Sequence, residues 1–403
     1  MKTKFELDDA LAKSNVWLTT SPVLTTKGFS CIKELTVEFR RFVVLIGEQA
    51  SGKSITCKLY YFFTQALRKI AWGCLREELD ANEFKRRLIQ EFGLIFPAVA
   101  WQRDTFSIDW KFGNRHMSIT HRSGNKNIKL ELHDYEDHYR KALARISKST
   151  LDGKIDAIEG RWHREELLSN IITEEFSALL VDYIPAGRSF FSTIQEVVFS
   201  LLSNNVGIDY FLKEFGRKLE SFRRIRYVSR ADGGRDPFSE LCRKILHGTY
   251  EYDGKDQWII TDVKHKIRLA DASSGQQEAL PLLMVLSRLF SQDSFSLRSR
   301  SKNGFRVLIE EPEAHLYPTA QQDIVNTIGR ILMSGKSIGC IVTTHSPFIL
   351  CCINNLLKYQ RDLRKSVSAY HLHDGGGDVI YKCDLGLIDA ERFDDISMEI
   401  ANA

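Results

Sequence analysis

The stretch Phe42-Val-Val-Leu-Ile-Gly-Glu-Gln-Ala-Ser-Gly-Lys-Ser54 decides the fold. Its five leading apolar residues read as a buried strand. Gly47, Gly52, Lys53 and Ser54 then complete the spacing G-x-x-x-x-G-K-S. Helix-compatible residues follow from Thr56 to Leu67. Strand, glycine loop and helix in that order suit a phosphate. The backbone N–H groups of the loop point at it, and the helix N-terminus adds positive potential. Lys53 is placed to reach β- and γ-phosphates, and the Ser54 hydroxyl to hold Mg²⁺. The expected phosphate-binding residues are Gly47, Glu48, Gln49, Ala50, Ser51, Gly52, Lys53, Ser54 and Ile55.

Downstream, Arg306-Val-Leu-Ile-Glu-Glu-Pro-Glu-Ala-His-Leu-Tyr-Pro318 is the second strong signal. An apolar strand ends in two adjacent carboxylates, and the strand period of two sends them to opposite sides. Glu310 is assigned to the Mg²⁺ shell and Glu311 to the general base that activates water. Two further pieces are weaker by themselves. Ala272-Ser-Ser-Gly-Gln-Gln-Glu278 opens an apolar helix, where small residues leave N–H groups free for a γ-phosphate. Ser273, Gly275 and Gln276 are its candidate ligands; the same string is also ordinary N-cap chemistry. Cys340-Ile-Val-Thr-Thr-His-Ser-Pro347 is a buried strand ending in His345, which either senses the γ-phosphate or is structural.

Taken in order, GEQASGKS, SSGQQE, LIEEPEAHLYP and TTHSP resemble the ATPase head shared by ABC, SMC and RecF-like proteins. Within that group they are most similar to the stand-alone prokaryotic ATPases related to the OLD (overcoming lysogenization defect) family. The resemblance covers residues 28–65 and 265–350 closely, and Tyr183-Ile-Pro-Ala-Gly-Arg-Ser189 is similar to a further motif of these ATPases. It implies an ABC-type signature at Ser273–Gln276, a Walker B strand ending at Glu310–Glu311 and a switch histidine at His345. It also implies ATP and Mg²⁺ as cofactors, and a homodimer or higher homo-oligomer in which the signature of one chain caps the ATP held by the other. The chain departs from the common pattern at Ser274, where a glycine is usual, and at Tyr317, where these ATPases often have histidine. The Mg²⁺-contacting glutamine of such heads is left unassigned; Gln102 is a candidate.

The expected fold is α/β: an ABC-type P-loop head with a mixed or parallel central sheet, an antiparallel β lobe and a largely helical insertion. The head is expected over 1–65 and 250–403, the lobe over 100–133 and the insertion over 66–99 and 134–249. The lobe rests on alternation in Phe106–Phe112 and Met117–His121 around Gly113-Asn114. The parallel sheet rests on strands and helices alternating to about residue 350. Gly28–Phe39 reads as one strand, Thr56–Leu88 as helix, and 134–227 as mostly helical with a break at Tyr183–Ser189.

The 403 residues carry a net charge of +4, too small to argue for nucleic acid on its own, and 43% of them are hydrophobic, an ordinary globular profile. None of the eight cysteines sits in a C-x-x-C or zinc-like spacing, so reduced thiols are expected. No run of 18 apolar residues suggests a membrane span, and the N-terminus lacks the apolar core of a signal peptide, so a cytoplasmic protein is expected. No second catalytic set is visible in the insertion. Arg217, Lys218, Arg223, Arg224, Arg226 and Arg230, interleaved with Phe222 and Tyr227, either grip nucleic-acid phosphates or form a solvated helix face. Two roles follow. One is the sensor subunit of a prokaryotic defence system that controls a separate nuclease or toxin effector. The alternative is a RecF- or SMC-like DNA-binding ATPase in repair or chromosome maintenance.

Overall fold

A computed structural model describes residues 21–125, 127–151, 157–176, 179–193, 208–223, 237–261, 265–290, 304–335 and 338–391. The chain begins with β1 (Val23–Phe29), β2 (Ile32–Glu38), β3 (Phe42–Gly47), α1 (Lys53–Tyr61), α2 (Leu67–Arg76) and α3 (Ala81–Ile95). It continues with β4 (Phe106–Phe112), β5 (Arg115–His121), β6 (Lys129–Glu131), α4 (Asp134–Leu151), α5 (Ala157–Phe176), β7 (Leu180–Ile184), α6 (Tyr210–Arg223) and α7 (Pro237–Leu246). A hairpin and third strand follow as β8 (Gly248–Tyr252), β9 (Gln257–Thr261) and β10 (Lys266–Arg268). Then come α8 (Ser274–Phe290), β11 (Phe305–Glu310), α9 (Pro318–Met333), β12 (Ile338–Thr344), α10 (Pro347–Tyr359), β13 (Val367–His373) and β14 (Gly376–Val379).

The central sheet has six strands in the order β14-β13-β3-β12-β11-β7. All pairs are parallel except the last hairpin, β13–β14. Parallel sheets are covered on both faces, so their strands read as unbroken apolar runs. β3 shows why: Val43 and Leu45 face one core, while Phe42, Val44 and Ile46 face the other. The first core lies between this sheet, α1–α5 and a five-stranded antiparallel sheet ordered β2-β1-β4-β5-β6. The second core is filled by α6 to α10. Arg306 of β11 is fully buried in the first, its guanidinium 4.9 Å from the centre of the Tyr60 ring and donating to the Arg40 carbonyl.

Register lines up the functional ends. Thr344 pairs with Ile46, Glu310 with Thr343, and Gly47 with Leu372. The carboxyl ends of β3, β12 and β11 therefore open onto one crevice, the usual place for a ligand in such sheets.

Three local readings are corrected. Gly28–Phe39 is a hairpin, not one strand: β1 ends at Phe29, and left-handed Gly28 and Ser30 (φ 67° and 52°) turn the chain into β2. Residues 56–88 do not form one helix. A π-helical turn at Phe62–Ala66 separates α1 from α2, and Asp80 starts α3 by accepting from the Glu83 N–H at 2.8 Å. Finally, the segment Tyr183–Ser189 begins inside a strand, β7, which joins the central sheet beside β11.

Candidate functional site

The phosphate loop is shaped by close approach. A Cβ on Gly47 would lie 2.1 Å from the Leu372 carbonyl oxygen of the neighbouring strand. Gly52 is left-handed (φ 100°), and a Cβ there would meet Ile32 at 2.8 Å. Glu48, Gln49, Ala50 and Ser54 are exposed, and Ile55 is half-buried. Lys53 is buried, and its ammonium donates to the carbonyls of Gly47 (2.7 Å) and Glu48 (2.6 Å) and to Ser51 Oγ (3.2 Å). The loop is thus closed on its own lysine. Burial pulls the Lys53 ammonium below its ordinary range, opposed by the charges of Glu311 and Glu313. A phosphate placed in the loop would offer that cation stronger, charged acceptors than two carbonyls.

The adjacent strand ends hold three carboxylates. Glu310 is buried; its Oε1 accepts from the Tyr183 hydroxyl at 2.7 Å and its Oε2 from the Ala186 N–H at 3.2 Å. Burial first, and then the charge of Glu310, push the Tyr183 phenol well up, so it stays a donor. Glu311 is half-exposed and left-handed (φ 42°), and one of its oxygens lies 3.3 Å from His345 Nε2. Glu313 Oε1 accepts from Thr344 Oγ1 (2.6 Å) and from the His345 N–H (2.8 Å). The sequence reading assigned Glu313 and Tyr183 no role. Their signals are the third acid of Glu-Glu-Pro-Glu and the tyrosine of Tyr-Ile-Pro-Ala-Gly-Arg.

The Tyr183–Ser189 segment lies under this site. In the sequence Arg188 suggests contact with nucleotide or with a partner chain. Its side chain has 0% exposure, which removes both options. The guanidinium is enclosed by the backbones of Pro185, Glu278, Glu310 and Glu311.

The Ser273–Gln276 segment caps α8. Ser273 Oγ and Gln276 Oε1 bond reciprocally across the first turn, a capping box with glutamine in the fourth position. Gln276 Nε2 donates to the Leu246 carbonyl at 2.7 Å. Gly275 lets this turn pack on the loop after Glu311, since a Cβ there would lie 2.7 Å from the His315 carbonyl. The Ser273 and Gln276 side chains are therefore engaged within the chain, and backbone N–H groups are what the turn can offer a ligand.

The basic stretch lies largely outside the described residues, which break off after Arg223 and resume at Pro237. Arg217 bonds Glu214, and Lys218 bonds Asp182. No helix among the described residues is long and apolar enough to cross a membrane.

The donor set suits Mg²⁺. Ser54 contributes an exposed hydroxyl and Glu310 a carboxylate whose oxygens each accept one hydrogen bond and keep a second lone pair. No group of three or more His, Cys, Asp or Glu side chains placed to hold a metal occurs among the described residues.

Comparison with known proteins gives a family model described as an AAA ATPase domain, matching residues 164–350. The match spans α8, β11 and β12, begins well after the phosphate loop and covers just under half of the chain. Among solved structures, an SMC head bound to the C-terminal winged-helix domain of ScpA is similar at 15% identity and TM-score 0.41, covering 90% of this chain and 96% of that one. The SMC head domain from Thermotoga maritima gives 12% identity and TM-score 0.39, covering 90% and 98%. The recombination mediator RecF gives 11% and 0.37, covering 89% and 98%. The matched domain, the phosphate loop and the paired carboxylates define the class: the chain is a P-loop ATPase with a mixed α/β head.

Proposed function

We propose that the chain is a Mg²⁺-dependent ATPase that dimerises through composite ATP sites and serves as the sensor or regulatory subunit of a prokaryotic anti-phage defence system, controlling a separate nuclease or toxin. The observation that carries the catalytic part is the meeting of Lys53, Glu310, Glu311 and His345 at three adjacent strand ends. Support for the defence role is the motif set, with its Glu-Glu-Pro-Glu strand end and Tyr-Ile-Pro-Ala-Gly-Arg segment. A DNA-clamping role would draw on the basic stretch. Among its described members, Arg217 and Lys218 hold acidic partners, which favours the first reading.

In this reading Lys53 leaves the Gly47 and Glu48 carbonyls and bonds the β/γ-phosphates of ATP. Ser54 and Glu310 are the Mg²⁺ holders; when bound, the ion neutralises charge building on the phosphate oxygens. Glu311 orients a water for in-line attack on the γ-phosphorus and takes its proton, while the bond from that phosphorus to the β–γ bridging oxygen breaks and ADP leaves. His345, already beside Glu311, reads whether the γ-phosphate is present. The backbone N–H groups of Ser274 and Gly275, at the start of α8, cap the ATP of a second chain. In solution, Glu311→Gln with ATP and Mg²⁺ should give the mass of a dimer by light scattering, and a smaller mass without nucleotide. A mass that ignores ATP would sink the ATP-gated dimer.

A further inference from the structure

Arg188 is a wholly buried cation with no exposure to solvent. Its Nε donates to the Glu278 carbonyl at 3.0 Å and lies 3.4 Å from Glu278 Oε2. Nη1 donates to the Glu310 carbonyl (2.9 Å) and the Pro185 carbonyl (3.2 Å), and Nη2 to the Glu311 carbonyl (3.0 Å). Glu278 lies on α8, directly after the capping turn that holds Ser273–Gln276. Its second carboxylate oxygen accepts from the Ser189 N–H at 3.2 Å, and Ser192 Oγ donates to the Gln277 carbonyl at 3.0 Å. One guanidinium therefore ties the first turns of α8 to the peptides of both acidic residues at the end of β11.

We propose that Arg188 and Glu278 form a positioning strut, which fixes the Glu310–Glu311 backbone and links the aim of the Glu311 carboxylate to the stance of α8. The need for such a strut is visible in the backbone. Glu311 is left-handed at φ 42°, a conformation that a non-glycine residue keeps only when its surroundings impose it. Three contacts hold its backbone: the Glu311 N–H on the Thr343 carbonyl (2.9 Å), and the Ala314 N–H (3.1 Å) and Arg188 (3.0 Å) on the Glu311 carbonyl. An apolar side chain could fill the same space but could not hold three carbonyls beyond its own helix contact. Lysine carries the charge without the planar fork. A shift of α8, such as one driven by a phosphate at its N-terminus, would pass through Glu278 and Arg188 to Glu311. Arg188 acts through Glu311 and touches no reacting atom, so it is a positioning residue.

The inference rests on the reading that Glu311 is the base, and the experiment separates the two. Steady-state ATP hydrolysis and binding of a fluorescent ATP analogue are measured on the full chain, for wild type, E311Q, R188K, E278Q and the double variant R188K/E278Q. We expect E278Q and R188K each to lower kcat about tenfold or more, with KM and the analogue's Kd within about threefold of wild type. The double variant should be no worse than the poorer single one, because both weaken the same Arg188–Glu278 ion pair. E278Q keeps side-chain shape and volume, so it decides the matter where R188K fails to fold. A folded E278Q with wild-type kcat overturns the strut, as does a loss of kcat and analogue binding in parallel. Wild-type turnover in E311Q would instead overturn the assignment of the base, and the strut with it.

Discussion

Replacing Glu278 by methionine leaves Arg188 buried and charged among carbonyl dipoles, with its carboxylate gone. Glu278 is 3% exposed and Arg188 0%, so water cannot take over the lost role. Breaking a buried pair by removing one partner typically costs about 3–5 kcal/mol. Four carbonyls still accept from Arg188 in the variant, which favours the lower end of that range. For a chain of 403 residues unfolding as one unit, roughly 2.1 cal/mol/K per residue gives an unfolding entropy of about 0.85 kcal/mol/K. The expected fall in Tm is therefore about 3–6 °C in differential scanning calorimetry. Arg188→Met should fall further, because it removes the guanidinium's bonds to four carbonyls and leaves the Glu278 carboxylate buried without its cation. An E278M chain that melts within 1 °C of wild type, on the order of 1 kcal/mol by the same conversion, would show that burial of this pair carries no such penalty. An E278M variant less stable than R188M would show that the carbonyl contacts are not the larger share.

Gly47→Ala should fold less stably and lose nucleotide binding, since its Cβ would stand 2.1 Å from a carbonyl of a central strand; an isothermal titration with unchanged ATP affinity would refute the close-approach argument. His373 donates a bond to Asp378 (3.0 Å) and lies 3.4 Å from Asp374; the Asp378 bond is the main cause raising its pKa above 6.5, with burial opposing it. A raised imidazole pKa stabilises the fold fully below the unfolded value and loses that contribution as pH rises through the folded one. An NMR titration of His373 should therefore give a midpoint above 6.5 that drops in Asp378→Asn; equal midpoints in the two proteins would contradict the pairing.

Much of the site was legible because its parts are local. A buried strand before a glycine loop is written in five apolar residues, and β11 and β12 carry the same signature before Glu310 and His345. Parallel pairing then brings these ends together without further information. β7 was not legible. It has five residues and lies at the sheet edge, and its Asp182 bonds Lys218, so neither period nor length separates it from the helices around it. The role of Arg188 was hidden for a different reason. An arginine beside glycine and proline reads as exposed, and only tertiary contact shows it enclosed by backbones from two distant segments and its own turn. The capping turn at Ser273 illustrates the converse: the sequence reads equally as helix cap and phosphate ligand, and the side chains form the cap.

The central claim is that Glu311 activates the water that cleaves ATP held by Lys53 and its loop. Its most direct test is a single-turnover measurement of ATP cleavage by wild type and Glu311→Gln, with bound nucleotide recovered and analysed from each. The account predicts that E311Q binds ATP with Mg²⁺ as tightly as wild type and retains it uncleaved, with the rate lowered about 10²-fold or more. A variant that releases phosphate at the wild-type rate would contradict it.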